Sequence, residues 1–258
     1  MKLISLNVWG GKIFKPLLTF IKKHSKDTDI FCFQEVFNTT SKIQESFGYR
    51  TNLYQEISAI LPSHQGYLAP ALDNYLLGSH QKKYTNFNLS AGLSVFVKKN
   101  LRLISSGDFF VYRKRNKFNL GNSNTVPRNV QYISFTHKNK KYTICNLHGI
   151  WLENGKQDSH SRIEQSKKII KFLDKQQGSK ILCGDFNLSM NTKSLKILEE
   201  DLINLIKNYH IPGTRSKHFH GHEKFADYTF VSPDINIINF QVPDAVVSDH
   251  LPMILEFS

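Results

Sequence analysis

Apolar residues recur along this chain with two alternating periods, and the switches between them outline its elements. Residues 2–8 (KLISLNV) read as a first strand. Residues 13–24 carry Phe14, Leu17, Leu18 and Ile21 at helical spacing and predict an amphipathic helix. Residues 29–34 form a short buried strand that delivers Glu35 at its end, and 41–47 read as a short helix. Between 61 and 89 the pattern weakens, and Pro62, Gly66, Pro70 and Gly78 suggest loops and short strands. Residues 93–97 and 101–105 read as strands, and 130–135 with 141–147 as a hairpin around Lys138-Asn139-Lys140. The helical period returns over 161–173, where Ser161 and Glu164 have the spacing of a capping box. Residues 180–183 predict a strand, 192–202 a helix, and 225–231, 235–240 and 253–257 the last strands. Helices and strands are interspersed, yet several strands are hairpin-connected. That pattern predicts an α/β fold with mixed sheets rather than a purely parallel one. No repeat, low-complexity segment or linker interrupts it, so one domain over residues 1–258 is expected.

The ends of these strands share a chemistry. Asn7 closes ISLN, Glu35 closes CFQE and His148 closes ICNLH. Asp185 and Asn187 follow LCG, Asp227 lies in FADYTF, and Asp249-His250 follow VVS. If the runs share a core, their ends converge on one rim, the usual place for a site in such folds. Carboxylates gathered there repel one another unless a cation neutralises them. Carboxylates, amides and imidazoles together hold a hard divalent cation and hydrolyse a phosphate ester. Oxygen-rich donors favour Mg²⁺ or Mn²⁺ over zinc.

The ordered set LNVWG, FQEV, NLHGIW, GDFN, FADYTFVS and SDHLP resembles the endonuclease/exonuclease/phosphatase superfamily, from Asn7 to Pro252. The resemblance implies a four-layered α/β sandwich, with two facing mixed β-sheets flanked by helices. It also implies roles. Glu35, Asn7 and Asp249 match the metal-side residues. Asp185 matches the carboxylate that activates the attacking water, and Asn187 the amide that holds it. His250 matches the imidazole on the scissile phosphate, Asp227 its carboxylate partner, and His148 a histidine carried by some branches. The expected activity is Mg²⁺-dependent hydrolysis of phosphodiester bonds, with DNA or RNA as substrate. The alternative within enzymes is a phosphatase or phospholipase-C-type hydrolase of inositol phosphates, sphingomyelin-like lipids or nucleotides. A catalytically silent binding module would lack a key residue, and all eight positions are filled.

Charge narrows the partner. Lys+Arg 34 minus Asp+Glu 21 gives +13, which favours a polyanion such as nucleic acid, although lysine-rich surfaces also confer solubility alone. Arg128, Arg215 and Trp151 are the candidate substrate-binding residues, the arginines for phosphate and the tryptophan, like Trp9, for stacking. Arg113-Lys114-Arg115-Asn116-Lys117, between Tyr112 and Phe118, is either a solvated loop or a track for a polyanion backbone. His218, His220 and His222 alternate, but with no patterned carboxylate or cysteine they read as a polar loop leading to Asp227. Cys32, Cys145 and Cys183 each sit in an apolar run and read as buried reduced thiols. The N-terminus enters a strand directly, and no apolar stretch is long enough to span a membrane. A cytosolic monomer is expected.

Overall fold

The computed structural model describes residues 1–46, 48–76, 87–119 and 121–258. The chain begins β1 (Lys2–Asn7), α1 (Phe14–His24), β2 (Ile30–Asn38), the two-residue strands β3 (Glu45–Ser46) and β4 (Tyr49–Arg50), then α2 (Leu53–Ile60). Next come β5 (His64–Leu76), β6 (Asn88–Lys98), β7 (Leu103–Tyr112), β8 (Arg128–His137), β9 (Lys140–His148) and α3 (His160–Leu173). The remainder is β10 (Ser179–Asp185), α4 (Lys193–Glu199), β11 (Ile203–Asn204), α5 (Leu205–Asn208), β12 (Asp227–Val231), β13 (Ile237–Gln241) and β14 (Met253–Phe257).

Two six-stranded mixed sheets result, β13-β14-β1-β2-β6-β5 and β11-β12-β10-β9-β8-β7. Each contains one parallel pair, β1 with β2 and β9 with β10. Parallel neighbours need a crossover, and α1 and α3 supply it. The faces away from the sheet–sheet interface are covered by helices. Leu17, Phe20 and Ile21 of α1 and Leu53 and Ile57 of α2 bury against Ile4, Phe31, Phe33 and Phe96. Each such side chain contributes about 1.5–3 kcal/mol by leaving water. On the second sheet, Ile169 and Leu173 of α3 and Leu195 and Leu198 of α4 join the main core. The sandwich therefore has four layers.

Between the sheets, each central strand climbs from apolar to polar in steps of two residues. The steps are Leu3, Ser5, Asn7 on β1 and Ile30, Cys32, Gln34 on β2. They are Ile144, Asn146, His148 on β9 and Ile181, Cys183, Asp185 on β10. The antiparallel β12 runs the same ladder downward, Asp227, Thr229, Val231. Period-two alternation keeps each set on one face. Side-chain amides lace the sheets together midway. Gln34 Nε2 donates to Asn146 Oδ1 at 2.6 Å, and Asn146 Nδ2 donates to the Phe33 carbonyl at 3.0 Å. The three cysteines are buried free thiols. Among the described residues no helix is long and apolar enough to cross a membrane.

The structure departs from the sequence pattern in four places. The expected helix over 41–47 is a series of bends and the β3–β4 ribbon. There Asn52 Nδ2 and Thr51 Oγ1 donate to the Ser41 and Ile43 carbonyls, taking acceptors that a helix needs. Phe47 lies outside the described residues, as does Gly78. Residues 53–60, unassigned from sequence, form α2. The weakly patterned 61–89 contains the thirteen-residue β5, in which Pro70 is tolerated because β5 is an edge strand whose register shifts there. The cap of α3 is Ser159, whose Oγ accepts from Arg162 N at 3.2 Å, rather than Ser161.

Candidate active site

The C-terminal ends of β1, β2, β9 and β10 meet at one rim. Asn7 closes β1, and its Nδ2 donates to Glu35 Oε1 at 3.1 Å and to Asp185 Oδ2 at 3.0 Å. Its Oδ1 accepts from Trp9 N at 2.9 Å, so both ends of the amide are used. Glu35 reaches the rim through a β-bulge. Phe33 pairs with Ser94 and Val36 with Gly92, leaving one residue extra on β2. Glu35 takes the left-handed φ of 58°, and the bulge re-aims its side chain.

Asp185 closes β10 after Gly184, whose φ of 134° and close approach exclude a side chain. A Cβ there would lie 2.1 Å from the Leu147 carbonyl oxygen. Asp185 Oδ1 accepts from Asn187 N at 2.9 Å, an Asx turn that brings Asn187 to φ 54° and its Nδ2 to 3.4 Å from the Gly149 carbonyl. In register beside Asp185 stand His148 on β9 and Asp227 on β12. His148 Nε2 is 3.8 Å from Asp185 Oδ2 and 3.9 Å from Glu35 Oε1. Asp227 holds His250 Nδ1 at 2.8 and 2.9 Å, leaving His250 Nε2 3.7 Å from Asp185 Oδ2.

Two guanidiniums close the arrangement. Arg128 Nη1 lies 3.1 and 3.2 Å from the two nitrogens of the His148 ring. Arg215 donates to Asp249 Oδ2 at 3.1 Å, contacts His250 Nε2, and stacks 4.2 Å over Phe219. Its Nε is buried without a hydrogen-bond partner among the described residues. Glu35, Arg128, His148, Trp151, Asp185, Asn187, Arg215, Asp249 and His250 line one cleft of about 550 Å³, with Asn7 and Asp227 buried behind its wall. Every residue expected at the site is therefore at or under this cleft.

The electrostatics divide these groups by task. Burial works against the Asp185 charge, but His250, His148, Arg215 and Lys156 outweigh it and hold the carboxyl well below its ordinary range. Burial opposes a charge on His250 too, yet Asp227 and Asp185 hold its proton above the usual imidazole range. Burial raises Asp227 in the same pair. His148 goes the other way: burial and the Arg128 cation keep it neutral. Glu35 is raised, first by burial and then, against the Asn7 amide, by Asp249 and Asp185. Buried carboxylates gathered at one rim are a donor set that a divalent cation would relieve. The carboxylate oxygens suit a hard divalent cation, whereas the imidazoles among them are more typical ligands of softer metals. Among the described residues, two groupings can hold an ion: Glu35–His148–Asp185 and Asp185–Asp227–His250. Asp249, expected on the metal side, lies outside both and pairs with Arg215.

A model of the Endonuclease/Exonuclease/phosphatase family matches residues 4–250. The chain belongs to that family. Endonuclease/Exonuclease/phosphatase proteins hydrolyse phosphoester bonds and are generally dependent on divalent metals. Solved structures share the fold over 100% of this chain. A mannosyl-6-phosphatase from Bacteroides thetaiotaomicron VPI-5482 has a TM-score of 0.71 at 17% identity, with 99% of that chain covered. A D. rerio TDP2 humanized by 14 mutations has 0.69 at 12%, with 98% covered. The human Nocturnin catalytic domain with bound sulfate anion has 0.65 at 17%, with 94% covered. No curated protein sequence matches the chain.

Within this Endonuclease/Exonuclease/phosphatase site, three residues carried no sequence signal. Lys156 is buried, its ammonium lowered by that burial, 5.4 Å over Phe219 and within electrostatic reach of Asp185. Phe219 backs both Arg215 and Lys156. Tyr49 lines the cleft from the β3–β4 ribbon. His218, His220 and His222 join neither ion-holding group. The basic run is tethered: Arg115 pairs with Asp108 and donates to the Pro70 carbonyl, and Asn116 bonds Asp73.

Proposed function

We propose that this chain is a Mg²⁺-dependent phosphodiesterase whose substrate is DNA or RNA, acting as one domain over residues 1–258 and as a monomer. The observation that carries the reading is an ionised Asp185 set between His148 and the Asp227–His250 pair, with Glu35 across the Asn7 amide. Glu35, with Asn7 beside it, would hold the metal, and Asp249 would join it only on leaving Arg215. When bound, Mg²⁺ (or Mn²⁺) supplies positive charge for the phosphoryl and leaving oxygens. Asp185 accepts the proton of the attacking water, and Asn187 orients that water. His250, its tautomer fixed by Asp227, donates from Nε2 to the phosphate in line with the attack. Arg215 exchanges Asp249 for a phosphoryl oxygen, and Arg128 meets the phosphate from the His148 side. Trp151, 38% exposed at the mouth, offers a stacking surface. The +13 charge turns the choice toward a polyanion.

One observation favours a second reading. Two guanidiniums on one cleft also suit the dianion of a terminal phosphate, as a phosphatase requires. A panel of plasmid DNA, single-stranded DNA, RNA, sphingomyelin, inositol phosphates and sugar phosphates, with Mg²⁺ and with EDTA, separates them. Metal-dependent cleavage of nucleic acid is expected. Turnover confined to lipid or small phosphomonoesters overturns the substrate assignment.

A further inference from the structure

A second cavity of about 240 Å³ opens beside the cleft and shares Glu35, Tyr49, Arg128 and His148 with it. Its concavity has a simple origin. Phe37 on β2, Ala91 on β6 and Leu72 on β5 lie opposite one another across three adjacent strands. The smallest side chain stands between two large ones, and the sheet surface dips there. Tyr49 packs edge-on against Phe37, ring centroids 5.5 Å apart, and makes one wall. That wall is fixed from behind. A Cβ on Gly10, which sits at φ 56°, would fall 2.4 Å from the Tyr49 ring and 2.6 Å from Phe37. Pro127 contributes to the lining opposite, leading directly into Arg128.

Away from the catalytic end the lining is mostly apolar, with the Tyr49 hydroxyl and the Asn129 amide as its polar side-chain groups. Asn129 Nδ2 is already committed to the Ala69 carbonyl at 3.1 Å and to Asp108 Oδ2 at 3.0 Å. A sugar would lose its water contacts there without replacement. The volume falls below the roughly 300–1,000 Å³ of sites for drug-sized ligands, so it fits one ring system rather than a lipid tail. A nucleobase meets these conditions, because each base has an apolar face that stacks on aromatic walls whatever its edge carries.

We propose that this cavity is a subsite for the nucleobase next to the scissile phosphate, held by stacking against Tyr49 and Phe37 and indifferent to base identity. The proposal rests on the nuclease reading and deepens it: the enzyme would recognise a base as well as a backbone. The test compares an octathymidylate with a base-free tetrahydrofuran octamer of the same backbone, and separately measures binding of thymidine 5′-monophosphate by calorimetry. Wild type should prefer the thymidylate by about tenfold or more in kcat/KM. Ala91→Leu, which fills the dip, should bring that ratio toward one and weaken thymidine 5′-monophosphate binding by a similar factor. Leu72→Phe is a second filling variant should Ala91→Leu not fold. Tyr49→Phe should keep the preference and Tyr49→Ala lose it. Equal turnover of both octamers by wild type, or an unchanged ratio in the filled variants, overturns the subsite. If neither octamer is cleaved, the nuclease reading fails, and weakened nucleotide binding by Ala91→Leu still upholds the subsite.

Discussion

The floor and the rim of the space between the sheets are built by the same strands, a few residues apart. At the floor Leu3, Ile30, Ile144, Ile181 and Val231 are fully buried and join one apolar core. At the rim the same strands carry Asn7, Gln34, His148, Asp185 and Asp227, all polar and mostly buried as well. The floor stabilises by removing apolar surface from water. Charges at the rim have left water also, and they need partners to offset that loss. The intermediate step, Ser5, Cys32, Asn146, Cys183 and Thr229, is small or amide-bearing, and it grades one environment into the other. The difference teaches that stability and chemistry are separated along each strand rather than between elements.

The separation breaks most visibly if rim substitutions unfold the protein. Asp185→Asn and His250→Ala should each lower nucleic-acid cleavage about 10³-fold or more, measured as kcat with Mg²⁺, with the fold retained; melting temperature should fall less in Asp185→Asn, which keeps the side chain's shape, than in His250→Ala, which strands the buried Asp227 carboxylate. Ile181→Ala and Ile144→Ala should do the opposite. Each should lose about 2–5 kcal/mol in denaturant unfolding while the folded fraction keeps its kcat. Asn146→Ala, at the intermediate step, should cost about 1–3 kcal/mol by removing the bonds that tie Gln34 and the Phe33 carbonyl across the sheets, and should lower activity modestly as the rim loosens.

The smallest expected effect lies away from the site, at a buried histidine. His64 is buried, with Nε2 donating to the Thr28 carbonyl at 2.9 Å, and burial lowers its pKa below 6.5. The unfolded chain therefore binds a proton more readily than the folded one. This contribution is fully present above pH 6.5 and is lost as pH falls through 6.5 toward the folded value. Unfolding of His64→Gln between pH 7 and 5 should show a shallower loss of stability than wild type.

Much of the rim was legible because its residues are chemically conspicuous and sit where apolar runs stop. Asp185, Asn187, Asp227 and His250 needed only that observation. Glu35 was legible as a strand end, but the bulge that aims it was not, since it depends on pairing with Ser94 and Gly92. The β5 edge strand was hidden by Pro70, which an edge tolerates and a central strand does not. Lys156, Phe219 and Tyr49 come from loops and a short ribbon without motifs, so only tertiary packing brings them to the cleft. The cavity at Ala91 was invisible for the same reason: it exists only once three strands align.

Under the proposed function the rim performs metal-dependent phosphodiester hydrolysis while the floor holds the fold. The most direct test is one strand examined twice, with Asp185→Asn and Ile181→Ala compared on β10 for Mg²⁺-dependent nucleic-acid cleavage and for unfolding free energy. Cleavage lost with the fold kept is expected of the first, and stability lost with kcat kept of the second. Undiminished, EDTA-sensitive cleavage by Asp185→Asn would contradict that function.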